Sequence, residues 1–130
     1  MIERLLPYLL VGTGSFVGGN ARFILARWVG GMIDARFPLG TFLINVGGSF
    51  LLGLLGGLLA DRALPHADHV RLALGVGFCG GFTTFSTFEF ETHALFEDGV
   101  WLPAVTNMFL SLFAGLLAVR FGIISARTLF

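Results

Sequence analysis

Gly75-Val76-Gly77-Phe78-Cys79-Gly80-Gly81-Phe82-Thr83-Thr84-Phe85-Ser86-Thr87-Phe88 is the stretch on which the fold of this chain turns. It lies in the middle of an apolar segment, roughly residues 70–96, long enough to cross ~30 Å of hydrocarbon as a helix. Thr83, Thr84, Ser86 and Thr87 put four hydroxyls into five residues at membrane depth. Gly80-Gly81, just before them, favours a break in the helix. Broken helices occur at that depth where backbone lines a cavity or holds an ion. Carbonyls freed by the break are hard oxygen ligands for a small cation; freed amides and hydroxyls are donors for an anion. Phe85 and Phe88, at i and i+3, share a helix face. A ring edge is positive, so edges turned into a pore favour an anion while staying apolar. The plainer reading of any single ring among 15 phenylalanines is lipid contact or core filling. The Gly75-x-Gly77-x-x-Gly80 pattern is not a dinucleotide site, because no strand precedes it and its surroundings are a membrane span.

Working outward, three more apolar segments appear at roughly residues 5–28, 39–60 and 101–122. The whole chain has 130 residues, 55% hydrophobic and 12% charged, where a soluble domain carries about 25% charged residues. With mean hydropathy +0.87, lipid is the natural solvent. The expected fold is all-α: four transmembrane helices with the third broken at mid-membrane. The connections are too short for a soluble domain, so residues 1–130 read as one transmembrane domain. The first segment has no small-residue cleavage site and reads as a retained span rather than a signal peptide. Trp28, Trp101 and Tyr8 suit the membrane interface. Arg4, Arg62, Arg71, Arg120 and Arg127 fall on the side of the termini, Arg27 and Arg36 on the other, which favours termini inside. Zero net charge gives no reason to expect nucleic acid, and Cys79 alone permits no intrachain disulfide.

Gly14 and Gly18, Gly53 and Gly57, and Gly77 and Gly81 are spaced four apart, which lets helix backbones approach closely. Asn45, Ser49, Gly53 and Gly57 form a small, partly polar stripe down the second span. Asn107, Ser111 and Gly115 form another in the fourth, explained equally by inter-helix hydrogen bonding or by an ion path. A thin four-helix bundle has little interior to shield a polar path, so self-association is expected. Arg22, inside the first span, is either a vestibule charge that attracts anions or a snorkelling side chain. Glu91 follows the Phe pair closely enough to reach a pore mouth; Glu89 and Glu91 otherwise read as solvated helix-end carboxylates. His66, Asp68 and His69 read as a solvated loop rather than a metal site.

These residues resemble the Fluc (CrcB-like) family of fluoride channels over nearly the whole chain. Gly18-Gly19-Asn20-Ala21-Arg22-Phe23 is similar to the family's Gly-x-x-Arg segment. Gly40-Thr41-Phe42-Leu43-Ile44-Asn45 is similar to its Gly-Thr-x-x-x-Asn segment. Residues 77–88 resemble its signature and are the most specific part of the match. The resemblance implies an antiparallel, dual-topology homodimer of four-helix subunits in the cell membrane, with two fluoride pores. It implies a structural Na+ at the dimer interface, held by the backbone carbonyls of Gly80 and Thr83. Phe85 and Phe88 would be the pore phenylalanines, Ser86 and Thr87 the hydroxyl track, with Asn45, Ser111 and Glu91 beside the path and Arg22 in the vestibule. Asn107 stands where some relatives have Tyr.

Passive fluoride efflux, lowering fluoride toxicity in the cytoplasm, is the function so implied. A small proton-coupled exporter with four helices is the main rival, and it needs a mid-membrane carboxylate. A packing scaffold explains the glycines but not the hydroxyl-rich break. No nucleophile–base pair or metal cluster suggests an enzyme.

Overall fold

The structure, a computed structural model, describes residues 2–60 and 65–129; Arg62 of the charge count lies outside them. Most of those residues are helical, with no strand among them. Helix α1 is Ile2–Met32 and α2 is Leu39–Ala60. The third span begins as α3, Ala67–Val70, continues as a π-helix, Arg71–Cys79, and ends its first half as α4, Gly80–Phe82. Its second half is α5, Phe85–Glu97, and the chain finishes in α6, Trp101–Leu129. Helices α1, α2 and α6 are each long and apolar enough to cross a membrane. Both α1 and α6 run beyond the apolar segments first expected, α1 at both ends and α6 at its C-terminal end. At 1.5 Å per residue, the 31 residues of α1 span about 46 Å.

The packing follows from the glycines. A side chain at Gly14 would stand 2.9 Å from Phe78 N, and one at Gly81 would stand 2.7 Å from Ser15 O. Gly18 lies against Phe78 and Phe82 in the same seam. These contacts run in matching order, so α1 and the first half of the third span lie parallel. Across the bundle, Gly53 and Gly57 of α2 meet Val119, Ile123 and Ala126, while Gly122 of α6 meets Phe50 and Leu54. The large apolar side chains point the other way: Phe16, Ile24, Phe113 and Leu116 are all exposed. Small residues inside and large apolar ones outside is the arrangement of a bundle solvated by lipid, where close backbone packing takes the place of a hydrophobic core.

The break lies between Phe82 and Phe85, not at Gly80-Gly81. Gly80 is helical, at φ −64° and ψ −38°, and Gly81 serves the approach to α1. The extended residues are Thr83 (φ −80°, ψ 159°) and Thr84 (φ −150°, ψ 114°). Both are β-branched, which suits extended backbone better than helix. The nine-residue π-helix was not expected. Its Gly75 and Gly77 are buried, and a side chain at Gly77 would stand 2.9 Å from Val11 O. Gly99, at φ 72°, closes α5: Asp98 N donates to Ala94 O, Gly99 N to Phe96 O and Val100 N to Leu95 O, so the turn needs the glycine.

Candidate functional site at the broken span

Asn45 of α2 holds the break open. The Thr84 N–H donates to Asn45 Oδ1 at 2.8 Å, and Asn45 Nδ2 donates to the Thr84 carbonyl at 3.0 Å. One primary amide thus satisfies both backbone groups of a residue that no helix can serve. Thr84 Oγ1 then caps α5, accepting from Thr87 N at 3.3 Å and donating to Thr87 Oγ1 at 2.9 Å. Thr83 Oγ1 folds back onto Cys79 O at 2.9 Å.

The break leaves the carbonyls of residues 80–83 without their helical donors, and for two of them the diverted amide can be named. In an unbroken helix, Thr84 N would bond Gly80 O and Thr87 N would bond Thr83 O. The first amide is taken by Asn45 and the second by Thr84 Oγ1. Gly80 and Thr83 are therefore among the carbonyl oxygens freed from the helical ladder, with the chemistry of hard cation ligands.

Beside the break lies a cavity of about 730 Å³ between α2, the third span and α6. Asn45, Phe85, Phe88 and Ser111 border it, together with Gly80 and Thr83. Six positions singled out from sequence thus converge on one groove from three elements. The Phe85 and Phe88 rings lie 5.9 Å apart at 42°, and Phe85 is 73% exposed at the open side. Ser49 also borders the groove, whereas Gly53 and Gly57 pack on α6. The stripe on α2 therefore divides into a lining half and a packing half. Glu89, one turn past Phe85, borders the groove as well, closer to the break than a helix-end carboxylate would stand.

The remaining candidates lie off the groove. Ser86 is exposed on α5, and Thr87 is half-buried and engaged with Thr84. Glu91 accepts a hydrogen bond from Thr41, while its Oε2 is buried with no partner among the described residues. Arg22 is half-buried one turn beyond Gly18 and makes no ion pair among the described residues. Asn107 is 1% exposed and belongs to a hydrogen-bonded network with Thr92 and Ser111. The rings of His66 and His69 stack at 5.4 Å, and no group of three metal-ligating side chains occurs among the described residues.

Thr41, quoted above only within the Gly-Thr-x-x-x-Asn segment, and Thr92 are polar residues of this region with no role assigned from sequence. The signal was present: Thr41 extends the Asn45–Ser49 stripe by one turn, and Thr92 sits four residues after Phe88. Thr41 is the one threonine of an apolar helix, and Thr92 bonds back to Phe88 O in its own helix, the ordinary habit of a helical threonine.

Residues 9–123 match the family described as CrcB-like protein, Camphor Resistance (CrcB). Among curated relatives, one named Fluoride-specific ion channel FluC, from Solibacter usitatus, is 43% identical over 122 residues, covering 94% of this chain and 99% of that protein. A protein of the same name from Chlorobium chlorochromatii is 43% identical over 127 residues, covering 98% of this chain and 97% of that one. With a family match spanning all four apolar segments and relatives aligned nearly end to end, this chain belongs to the CrcB-like (Fluc) family.

Proposed function

We propose that this chain forms a fluoride-selective channel of the cell membrane that lets fluoride leave the cytoplasm passively. The carrying observation is the groove itself, where the Asn45 amide, the Ser111 hydroxyl and the Phe85 and Phe88 rings meet beside a broken helix. Relatives named as fluoride-specific ion channels supply the identity of the ion. Fluoride is small and holds its water tightly. A pore for it must replace that water with donors and ring edges, each weak enough to release the ion onward. An amide, a hydroxyl and two rings answer that requirement with no fixed positive charge to trap the anion. Ser86, Thr87, Glu91 and Arg22 lie off the groove, and we assign them to the approaches rather than to its wall.

The groove opens on the side of the subunit. Facing lipid tails, its polar groups would go unpaired at a cost of several kcal/mol each. A second copy in antiparallel orientation closes it and creates two symmetry-related paths. Of the carbonyls freed at the break, those of Gly80 and Thr83 would hold a sodium ion at that interface, the ion supplying positive charge where carbonyl ends from two subunits would converge. Residues 1–130 would then act as one transmembrane unit, and nothing in this reading calls for an enzyme.

Glu89 at the groove edge keeps one rival alive, a proton-coupled exporter using that carboxylate. The deciding measurement is ion efflux from liposomes containing the purified protein. Fluoride efflux without a proton gradient, far faster than chloride efflux, is expected. Efflux that requires the gradient and disappears in Glu89→Gln would establish the exporter instead.

A further inference from the structure

A chain of hydrogen bonds leads from the groove back into the subunit. Ser111 Oγ donates to Asn107 Oδ1 at 3.0 Å, Asn107 Nδ2 donates to Thr92 Oγ1 at 2.8 Å, and Thr92 Oγ1 donates to Phe88 O at 2.7 Å. Its direction follows from one end. A backbone carbonyl only accepts, so the Thr92 proton is committed to Phe88 O and Thr92 Oγ1 is left to accept. Asn107 must then turn its NH2 towards Thr92 and its oxygen towards Ser111. Ser111 must donate inward, and what it offers the groove is lone pairs. Thr92 is 6% and Asn107 1% exposed, so bulk water does not compete for these bonds.

We propose that Asn107 and Thr92 are positioning residues that hold the Ser111 hydroxyl with its oxygen towards the groove, so that an anion is bound there only by drawing the O–H away from Asn107. No proton is transferred; the hydroxyl rotates. An arriving anion exchanges one hydrogen bond for another instead of gaining one, which keeps the site weak enough to release its ion. The same relay is anchored on the backbone of Phe88, whose ring borders the groove, so the hydroxyl and the ring are held in one register. This inference rests on the fluoride reading above.

The test uses Thr92→Val, nearly equal in shape to Thr92. It removes the acceptor that fixes Asn107, letting the amide turn its NH2 towards Ser111 and release the Ser111 proton to the groove. Since one net hydrogen bond is worth a factor of about 3–10, the half-saturating fluoride concentration for flux should fall by that factor. Asn107→Leu should act in the same direction, and Thr92→Ser should behave as the parent. In a Ser111→Ala background, Thr92→Val should produce no shift; a purely structural role for Thr92 would give the same shift in both backgrounds. A shift independent of Ser111, or Thr92→Ser matching Thr92→Val, overturns the proposal. Unfolding midpoints in fluoride-free detergent provide a second readout. Among the described residues the hydrogen bonds join Thr92 and Ser111 through Asn107, so their substitutions should be non-additive, and additive midpoints overturn the relay. Should the parent carry no fluoride, the channel reading fails while this unfolding cycle still decides the relay.

Discussion

Replacing Asn45 by alanine should unfold the break and the ion path together. The side chain satisfies two backbone groups of Thr84, at 2.8 and 3.0 Å, and Thr84 is only 7% exposed. Stranding one buried backbone group costs about 1–3 kcal/mol. Water admitted by the adjoining groove argues for the lower end, so the pair amounts to about 2 kcal/mol, or about 30-fold in the unfolding equilibrium. The chain has one way to recover part of this. Thr84 N can return to Gly80 O, which heals the helix but consumes a carbonyl and turns the α5 cap out of place. Either outcome alters the groove, so flux per folded protein should also fall. Equilibrium unfolding in mixed micelles measures the first effect, and liposome flux normalised to correctly assembled protein measures the second. Asn45→Asp should lie between, since a carboxylate still accepts from Thr84 N but cannot donate to Thr84 O. Parent-like unfolding in Asn45→Ala would refute the clamp. Lost stability with unchanged specific flux would keep the clamp and remove Asn45 from the ion path.

Phe85→Ile and Phe88→Ile should each lower fluoride flux by about 2–10-fold while unfolding changes little for the exposed Phe85, a drop on the order of one lost ring–anion contact; unchanged flux in both would dismiss the ring edges. Gly14→Ala should destabilise by about 1–3 kcal/mol because its Cβ meets the backbone of Ala73 and Phe78, whereas Gly12→Ala, with open space around its Cβ, should be neutral in the same unfolding assay. Exchanging sodium for a large organic cation should lower both dimer stability and flux if the Gly80 and Thr83 carbonyls hold that ion. Gly80→Leu, whose Cβ would meet nothing within 4 Å in the subunit, should leave the helices formed by circular dichroism yet block dimerisation on gel filtration; a normal dimer would exclude that position from the interface.

The course of the third span shows what a sequence can and cannot convey. Hydroxyl density at membrane depth announced a break, because so many polar groups in lipid demand partners. It did not locate the break, since glycine serves two needs that look alike in sequence. At Gly81 the need was close approach to Ser15 of α1, and a residue so used is better kept helical. The break fell instead where threonines accept extended backbone and where Asn45, 39 residues away along the chain, reaches both groups of Thr84. That pairing is tertiary and leaves no local mark. Asn45 itself was legible as a path residue from its stripe, but its work at the break was not. The π-helix is a similar case: glycine at 75 and 77 permits it, yet permission is not a signal.

Polarity, more than residue identity, separates the plain packing view of the stripes from the site view. Asn107 and Ser111 looked from sequence like interchangeable hydrogen-bonding groups in a fourth helix. In the fold, one is sealed among its partners and the other borders the groove, and the bond between them runs in a single direction set by the carbonyl of Phe88. The same logic governs Asn45, whose oxygen and nitrogen are both spent on Thr84 yet whose second amide hydrogen is still available beside the groove. An apolar chain with few charges thus obtains direction from backbone carbonyls, which only accept, and passes it through threonine and asparagine side chains to the groups that border the cavity. Charged residues would do this more strongly, but each would raise the cost of insertion by about 2.5–3.5 kcal/mol and would bind a small ion too firmly to let it go.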